Sequence, residues 1–168
     1  MFGKSLIPKD EMEQKIRAAT DAREDPDFVI IARCDALLPN GLDDVLARGD
    51  AYIAAGADML FCEVRDSMEE IETIAKTFRG RVHLHWNHSA SPMVPRLSAK
   101  EAEALGYKTC CFYTQSLRAG VKSMRNVLTH ILETGTSEGI EDQMIGFDEM
   151  YEMLDLEKIR KMEKRYAV

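Results

Sequence analysis

The sequence lacks any long apolar run. None of its apolar stretches approaches the roughly 18–20 residues that a membrane-spanning helix needs. The opening residues also lack the basic and then apolar pattern of a signal peptide. These absences argue against a membrane protein and favour the cytosol as its location.

Cysteine is scarce, and its spacing argues against a metal or disulfide framework. The four cysteines are Cys34, Cys62, Cys110 and Cys111, and no two of them form a C-x-x-C pair. Each lies inside or at the end of an apolar, strand-like run, which favours small buried thiols in a reducing compartment. Three histidines lie close together in the sequence, at positions 83, 85 and 88. The first two would share one face of a strand and the third would lie on the other face, so we expect no histidine metal site.

Basic residues are outnumbered by acidic ones. The 168 residues include 22 Lys and Arg against 29 Asp and Glu, for a net charge of −7. Nucleic acids and anionic membranes require clustered Lys and Arg, so neither is expected as a partner. With 45% hydrophobic and 30% charged residues, the composition is typical of a globular domain that buries a sizeable core.

Short apolar runs alternate with amphipathic segments along the chain. The apolar runs predict four strands, at 28–32, 58–62, 82–86 and 109–113. The amphipathic segments predict helices at 9–23, 42–55, 68–78, 99–105, 117–133, 147–154 and 156–165. This alternation predicts an α/β fold with a parallel sheet, in which the apolar runs are covered on both faces. The pattern leaves two architectures open, a small doubly wound sheet and half of an eight-stranded barrel.

Charged residues stand at the ends of the first two predicted strands. Ligands of parallel α/β folds bind at that edge of the sheet. Arg33 has the guanidinium geometry that holds a carboxylate or phosphate by two hydrogen bonds, and the alternative is a structural ion pair with Asp35 or a neighbour. Glu63 could accept a substrate hydroxyl or transfer a proton, and the alternative is a solvated loop acid.

The next two predicted strands end in the same way. Asn87 and Ser89 follow the third strand and suit carboxylate or enolate oxygens. Arg118 begins the helix after the fourth strand, from which it could reach the same edge as Arg33. The recurrence of such groups at one edge predicts a site for a dicarboxylate or a similar oxyanion.

Six separated phrases of the sequence resemble the isocitrate lyase and phosphoenolpyruvate mutase superfamily, in particular its methylisocitrate lyase-like branch. In chain order they are EMEQKIRAA from residue 11, IIARCDA from 30, AAGADMLF from 54, ALGYK from 104, SLRA from 116 and EKRY from 163. The resemblance implies a (β/α) barrel enzyme that binds Mg²⁺ and cleaves or rearranges C–C or P–C bonds next to a 2-oxo or 2-hydroxy acid. Methylisocitrate, dimethylmalate, oxaloacetate and phosphonopyruvate all stay open as substrates.

The resemblance also implies roles for individual residues. Arg33 would contact a substrate carboxylate, and Glu63, Asn87, Ser89 and Arg118 would complete the substrate-binding set. His88 would supply backbone contacts. The chain departs from the family pattern at Cys34, where a Thr is usual, and at Ala90, where the family often has an acid.

The resemblance divides the chain in two parts. Residues 1–146 would form the C-terminal half of a TIM-type (β/α)₈ barrel with four strands, and residues 147–168 a helical tail that packs on a partner subunit. The family's acidic Mg²⁺ ligands and its Lys-Lys/Arg-Cys-Gly-His loop do not occur in this sequence. We therefore expect a chain that is inactive alone and assembles with another copy or with a separate N-terminal half. The alternative is a non-catalytic remnant or oligomerisation module of the same fold.

Overall fold

The chain forms two compact units that meet in sequence between Tyr113 and Thr114. The structure, a computed structural model, describes residues 5–65, 67–89 and 91–167. Within them, all strands lie in the first unit and the second unit is helical. The predicted boundary between residues 146 and 147 concerns packing on a partner and stays a prediction.

The first unit alternates strands and helices. Its strands are β1 (Ile31–Cys34), β2 (Met59–Cys62), β3 (His83–Asn87) and β4 (Thr109–Cys111). Its helices are α1 (Lys9–Asp21), α2 (Leu37–Asn40), α3 (Leu42–Ala54), α4 (Met68–Phe78) and α5 (Ala99–Leu105). Neighbouring strands pair in parallel in the order β1-β2-β3-β4, which confirms the predicted parallel α/β fold.

The order of the strands distinguishes between the two architectures that the sequence left open. In a sheet whose strands follow one another in chain order, crossovers of one hand place every helix on the same face. A doubly wound sheet instead reverses its order and carries helices on both faces. Here one face is buried under the helices through Ala32, Leu60 and Leu84, while Ile31 and His83 on the other face are exposed. The topology is therefore that of a barrel segment.

Strand β1 differs from its prediction in position and in burial. A turn in which the Phe28 backbone N–H donates to Asp25 O (3.0 Å) precedes it, and the strand begins only at Ile31. Phe28 and Val29, predicted as buried strand residues, are 68% and 51% exposed. The prediction assumed a strand that is covered on both faces. It was wrong because β1 is an edge strand with one open face, which an apolar run alone does not reveal. Arg33 consequently lies within the strand and not after it.

Close packing between α3 and α4 fixes the helical layer over the sheet. Phe78 is fully buried, and its ring lies directly against the backbone of Gly49, where a side chain would overlap it. Ser67 caps the start of α4 by accepting from Glu70 N, and a capping box of Ser98 with Glu101 starts α5. These caps define where the loops after β2 and β3 end.

The second unit contains three α-helices and a short 3₁₀ turn. They are α6 (Gln115–Thr134), the turn Glu141–Gln143, α7 (Phe147–Met153) and α8 (Leu156–Tyr166). The three predicted helices of this part are confirmed to within two residues, whereas the 3₁₀ turn and α2 were not predicted. No residue of α6 is buried, and its apolar row Val121, Met124 and Leu128 is exposed.

Among the described residues, no helix is both long and apolar enough to span a membrane.

Candidate active site

Polar groups converge at the carboxyl ends of the strands in the first unit. A cavity of about 400 Å³ opens there, and the loops after all four strands contribute to its lining. Its polar lining consists of Asp35, Glu63, Arg65, Ser89 and Ser91. Pockets that hold small molecules usually fall between about 300 and 1,000 Å³, so the space suits a compact metabolite.

Arg33 is held beside this cavity by two carboxylates. Its Nε and Nη2 donate to the two oxygens of Asp35 at 3.0 Å each, and Nη2 also donates to Glu63 Oε2 at 2.9 Å. The guanidinium lies 4.5 Å from the centre of the Phe61 ring, which supports its plane. The structural ion pair that the sequence left open is thus present, and Glu63 is part of it.

The guanidinium nevertheless stays available to a ligand. Its side chain is 45% exposed, and its Nη1 makes no hydrogen bond to another described residue. The hydrogen bond to Asp35 raises the pKa of Arg33, and the charges of Glu63 and Asp35 add to this against the opposing effect of burial. Arg33 is therefore a permanent, oriented cation with donor capacity to spare.

Asn87, His88 and Ser89 follow one another at the end of β3. Asn87 and Ser89 line a narrow cleft together with Glu63, so these three predicted site residues do come together. The backbone N–H of His88 donates to Cys111 O (3.0 Å), and its ring Nδ1 lies 3.1 Å from Leu97 O. His88 therefore links the loop to β4 and to the segment before α5.

Arg118 lies in the second unit, at the first turn of α6. Its backbone N–H donates to Thr114 O (2.9 Å), and its side chain is exposed. Its predicted role beside Arg33 stays a prediction.

Arg65 is a lining residue that the sequence reasoning missed. It stands two residues after Glu63 in the same loop and brings a second guanidinium to the cavity. The signal that could have found it is this position, because the whole loop after a strand borders the mouth of a parallel fold.

The described residues do not form a metal site by themselves. Among them, no three His, Cys, Asp or Glu side chains lie close enough together to hold a metal ion. Asp35 and Glu63, the two carboxylates of the cavity, are engaged by Arg33. The described residues of the cavity therefore offer no ready group of carboxylates for a Mg²⁺ ion.

The buried thiols are poorly suited to act as nucleophiles. Cys34 and Cys62 are buried, and this burial raises the pKa of both thiols. A nucleophilic cysteine needs a stabilised thiolate. Their positions match the predicted small apolar packing role.

Comparison with known proteins relates the chain to one enzyme family. The sequence profile described as Phosphoenolpyruvate phosphomutase matches residues 2–132. The chain is 39% identical over 99% of its length to the 2,3-dimethylmalate lyase of Eubacterium barkeri, of which it covers 57%. It is 33% identical over 98% of its length to the phosphoenolpyruvate phosphomutase of Streptomyces viridochromogenes, of which it covers 52%. The chain thus spans about half the length of the curated relatives it matches.

Solved structures give the same relation. The phosphoenolpyruvate phosphomutase of Streptomyces platensis subsp. rosaceus superposes with a TM-score of 0.88 at 29% identity, over 98% of this chain and 57% of that one. A phosphonopyruvate hydrolase in complex with oxalate and Mg²⁺ superposes with a TM-score of 0.87 at 32% identity, over 100% of this chain and 60% of that one. The predicted fold class, parallel β/α units of the type that forms half of a TIM-type barrel, is confirmed. The chain belongs to the phosphoenolpyruvate phosphomutase family, within the isocitrate lyase and phosphoenolpyruvate mutase superfamily.

Proposed function

We propose that this chain forms the carboxylate-binding wall of a lyase or mutase active site. The reaction is the cleavage or rearrangement of a C–C or P–C bond next to a 2-oxo or 2-hydroxy acid. The observation that carries this proposal is Arg33, a charged and half-exposed guanidinium that Asp35 and Glu63 orient beside a cavity at the mouth of the sheet.

The contacts of Arg33 support a binding role. A substrate carboxylate can bind Nη1 and, by replacing Glu63, Nη2 as well, while Asp35 keeps the guanidinium in place through its two hydrogen bonds. Asn87 and Ser89 lie in the cleft next to Glu63 and would orient a further oxygen of the substrate. His88 would contribute through its backbone, and Arg118 would complete the set from the second unit.

The relatives support both the substrate class and the cofactor. Their names specify small organic acids, namely 2,3-dimethylmalate and 2-methylisocitrate, and one related structure holds oxalate with Mg²⁺. We therefore propose Mg²⁺ as the cofactor, with its ligands and the acid–base groups supplied from outside this chain. A separate N-terminal half would supply them, a second copy would serve as a packing partner only, and the proposed location is the cytosol.

The test is the replacement of Arg33 in the assembly that turns over a dicarboxylate. Arg33→Ala is expected to raise KM about 10²-fold, because a bidentate charged contact is worth roughly 2–3 kcal/mol. Arg79→Ala, which removes an exposed arginine at the other end of the strands, serves as the control and should leave KM unchanged. Equal KM values for Arg33→Ala and the unaltered protein would contradict the assignment.

A non-catalytic oligomerisation module is the second candidate. It is favoured by the apolar side chains that α7 and α8 expose, among them Phe147, Met153 and Tyr166. We propose that residues 147–168 pack on a partner subunit in either case. Turnover of any candidate acid by the assembled protein would exclude this alternative, and turnover by the purified chain alone would contradict its expected inactivity.

A further inference from the structure

Four side chains form one row across the open face of the sheet. In the parallel register, Arg33 is paired with Phe61 and His85 is paired with Thr109. The register of β2 and β3, carried one residue further, places Phe61 opposite His85. The row therefore runs from Arg33 in β1 across the two central strands to Thr109 in β4.

Each member of the row contacts the next. The guanidinium carbon of Arg33 lies 4.5 Å from the centre of the Phe61 ring. The centres of the Phe61 and His85 rings are 5.0 Å apart at an interplanar angle of 69°, which is the edge-on arrangement that aromatic rings favour. His85 Nδ1 lies 2.7 Å from Thr109 Oγ1. The hydroxyl on one side of the His85 ring holds it in place, so the ring limits the movement of Phe61 on the other side.

The support from Phe61 matters most when a carboxylate binds. Without a ligand, Asp35, Glu63 and Phe61 all hold the guanidinium of Arg33. A substrate carboxylate that replaces Glu63 leaves Asp35 and Phe61 as the described supports. If the Phe61 ring is free to shift, Arg33 also leaves the orientation that binds, and the affinity falls with the fraction of molecules in that orientation.

The His85 ring can support Phe61 without adding a charge beside Arg33. Burial lowers the pKa of His85 below its ordinary value of roughly 6.5, so the ring is uncharged at pH 7. His85 is not among the described residues that line the cavity or the narrow cleft beside it. An effect of this ring on a ligand in the cavity therefore passes through its neighbours.

We propose that His85 is a positioning residue for Arg33 and that it acts through Phe61, whose ring it holds against the guanidinium. This inference rests on the proposed function, because Arg33 must receive a carboxylate for its position to affect binding. Removal of the His85 ring is expected to weaken the binding of a dicarboxylate about two- to fivefold, which is the loss expected when a partly exposed cation no longer has a fixed aromatic partner.

The experiment records the arginine Nε–H signals of the isotopically labelled, purified chain by two-dimensional NMR at pH 7, and Arg33→Lys identifies the Arg33 signal. The ring current of Phe61 is expected to displace this signal, and Phe61→Leu should abolish the displacement. Oxalate is titrated into the chain, first alone and then with Mg²⁺, and the movement of the signal gives Kd. His85→Ala should reduce the ring-current displacement and raise Kd about two- to fivefold.

Further variants separate positioning from a structural effect. His85→Phe keeps a ring beside Phe61 but loses the hydrogen bond to Thr109, and it should restore both the signal and Kd. His83→Ala removes the exposed histidine that precedes His85 on the same face of β3, and this matched control should change neither. In a Phe61→Leu background, His85→Ala should have no further effect on Kd. Because His85 faces the open side of the sheet, its replacement is not expected to unfold the chain, and circular dichroism checks this.

Failure of this inference is distinct from failure of the proposed function. If oxalate moves the Arg33 signal but His85→Ala changes neither the signal nor Kd, the positioning role is overturned and the proposed function stands. The same holds if His85→Ala weakens binding equally with and without the Phe61 ring, or if His85→Phe behaves like His85→Ala. If oxalate moves the Arg33 signal neither alone nor with Mg²⁺, the proposed function fails and the inference fails with it.

Discussion

At the scale of single residues, a buried cation ties the start of the chain to the helical layer. Arg48 is 7% exposed, and its Nε donates to Asp44 Oδ2 at 2.8 Å. Its Nη1 donates to Ile7 O at 3.1 Å, which links the segment before α1 to α3. Burial alone would raise the pKa of Asp44, but hydrogen bonds from Arg48 and Asn40 lower it below its ordinary value.

This lowered pKa predicts an acid-dependent contribution to stability. A carboxyl whose pKa is lower in the folded state stabilises the protein above the ordinary pKa of roughly 4, and this stabilisation disappears as pH falls through the lowered value. Asp44→Asn is therefore expected to cost about 1–2 kcal/mol at pH 7 and to reduce the loss of stability on acidification. Urea unfolding at pH 7 and pH 3 measures both effects, with the exposed neighbour Asp43→Asn as the control. The same acid sensitivity in Asp44→Asn as in the unaltered protein would contradict the argument.

The sequence predicted those residues of the candidate site that have a suitable polar side chain and also lie at the end of a predicted strand. Arg33, Glu63, Asn87 and Ser89 follow from polar groups at strand ends, and the structure brings the last three to one cleft next to the first. The choice between an ion pair and a free arginine could not be made, since it depends on the distance from Arg33 to Glu63, which follows another strand. The roles of these residues toward a substrate stay predictions.

At the scale of elements, the contact between α3 and α4 requires a glycine at position 49. A Cβ at Gly49 would overlap the ring of Phe78, which is fully buried and has no room to move. Gly49→Ala is expected to destabilise the first unit by about 1–2 kcal/mol, because overpacking outweighs the better helix propensity of alanine.

A double-mutant cycle isolates this overlap. The smaller Phe78→Leu should reduce the cost of Gly49→Ala, since leucine leaves space for the added methyl group. Trp86 is the single tryptophan of the chain and is buried in the first unit, so its fluorescence reports unfolding of that unit. Equal costs of Gly49→Ala in the two backgrounds would show that the overlap is not the cause.

Helices were easier to predict than strands. The ends of α4 and α5 match the sequence prediction because caps and turn residues specify them locally. Strand β1 was misplaced by three residues at its start, since a strand begins where a partner offers hydrogen bonds. That partner is Asp58, whose carboxylate accepts from Ile30 N at 2.8 Å and whose backbone N–H donates to Ile30 O at 3.0 Å.

At the scale of the whole molecule, the described sheet has two outer strands and one open face. Apolar side chains stand exposed at both outer strands, Phe28 before β1 and Phe112 after β4. We predict that the purified chain is not a stable monomer, because unpaired strand edges recruit other chains. Size-exclusion chromatography with light scattering measures the mass, which should be above that of one chain. Because apolar contacts drive the association, the mass should stay above that of one chain in 0.5 M salt, where the electrostatic screening length is roughly 4 Å. A folded monomer would contradict the prediction.

The sequence pattern alone reached the parallel α/β class but not the architecture. Periodicity reports which residues are apolar, and it carries no information on which strand lies beside which. The strand order β1-β2-β3-β4 and the exposure of Ile31 and His83 supply that information.

The same strand order has a consequence for how the first unit folds. Within the described sheet, each strand pairs with strands adjacent to it in sequence, and the paired residues Ile31 and Met59, Met59 and His83, and His85 and Thr109 are 28, 24 and 24 positions apart. None of these three pairings has to wait for a distant part of the chain, so the entropy lost on closing each loop is small. The sheet can therefore grow one β/α repeat at a time during synthesis, with each new strand docking on an edge that already exists.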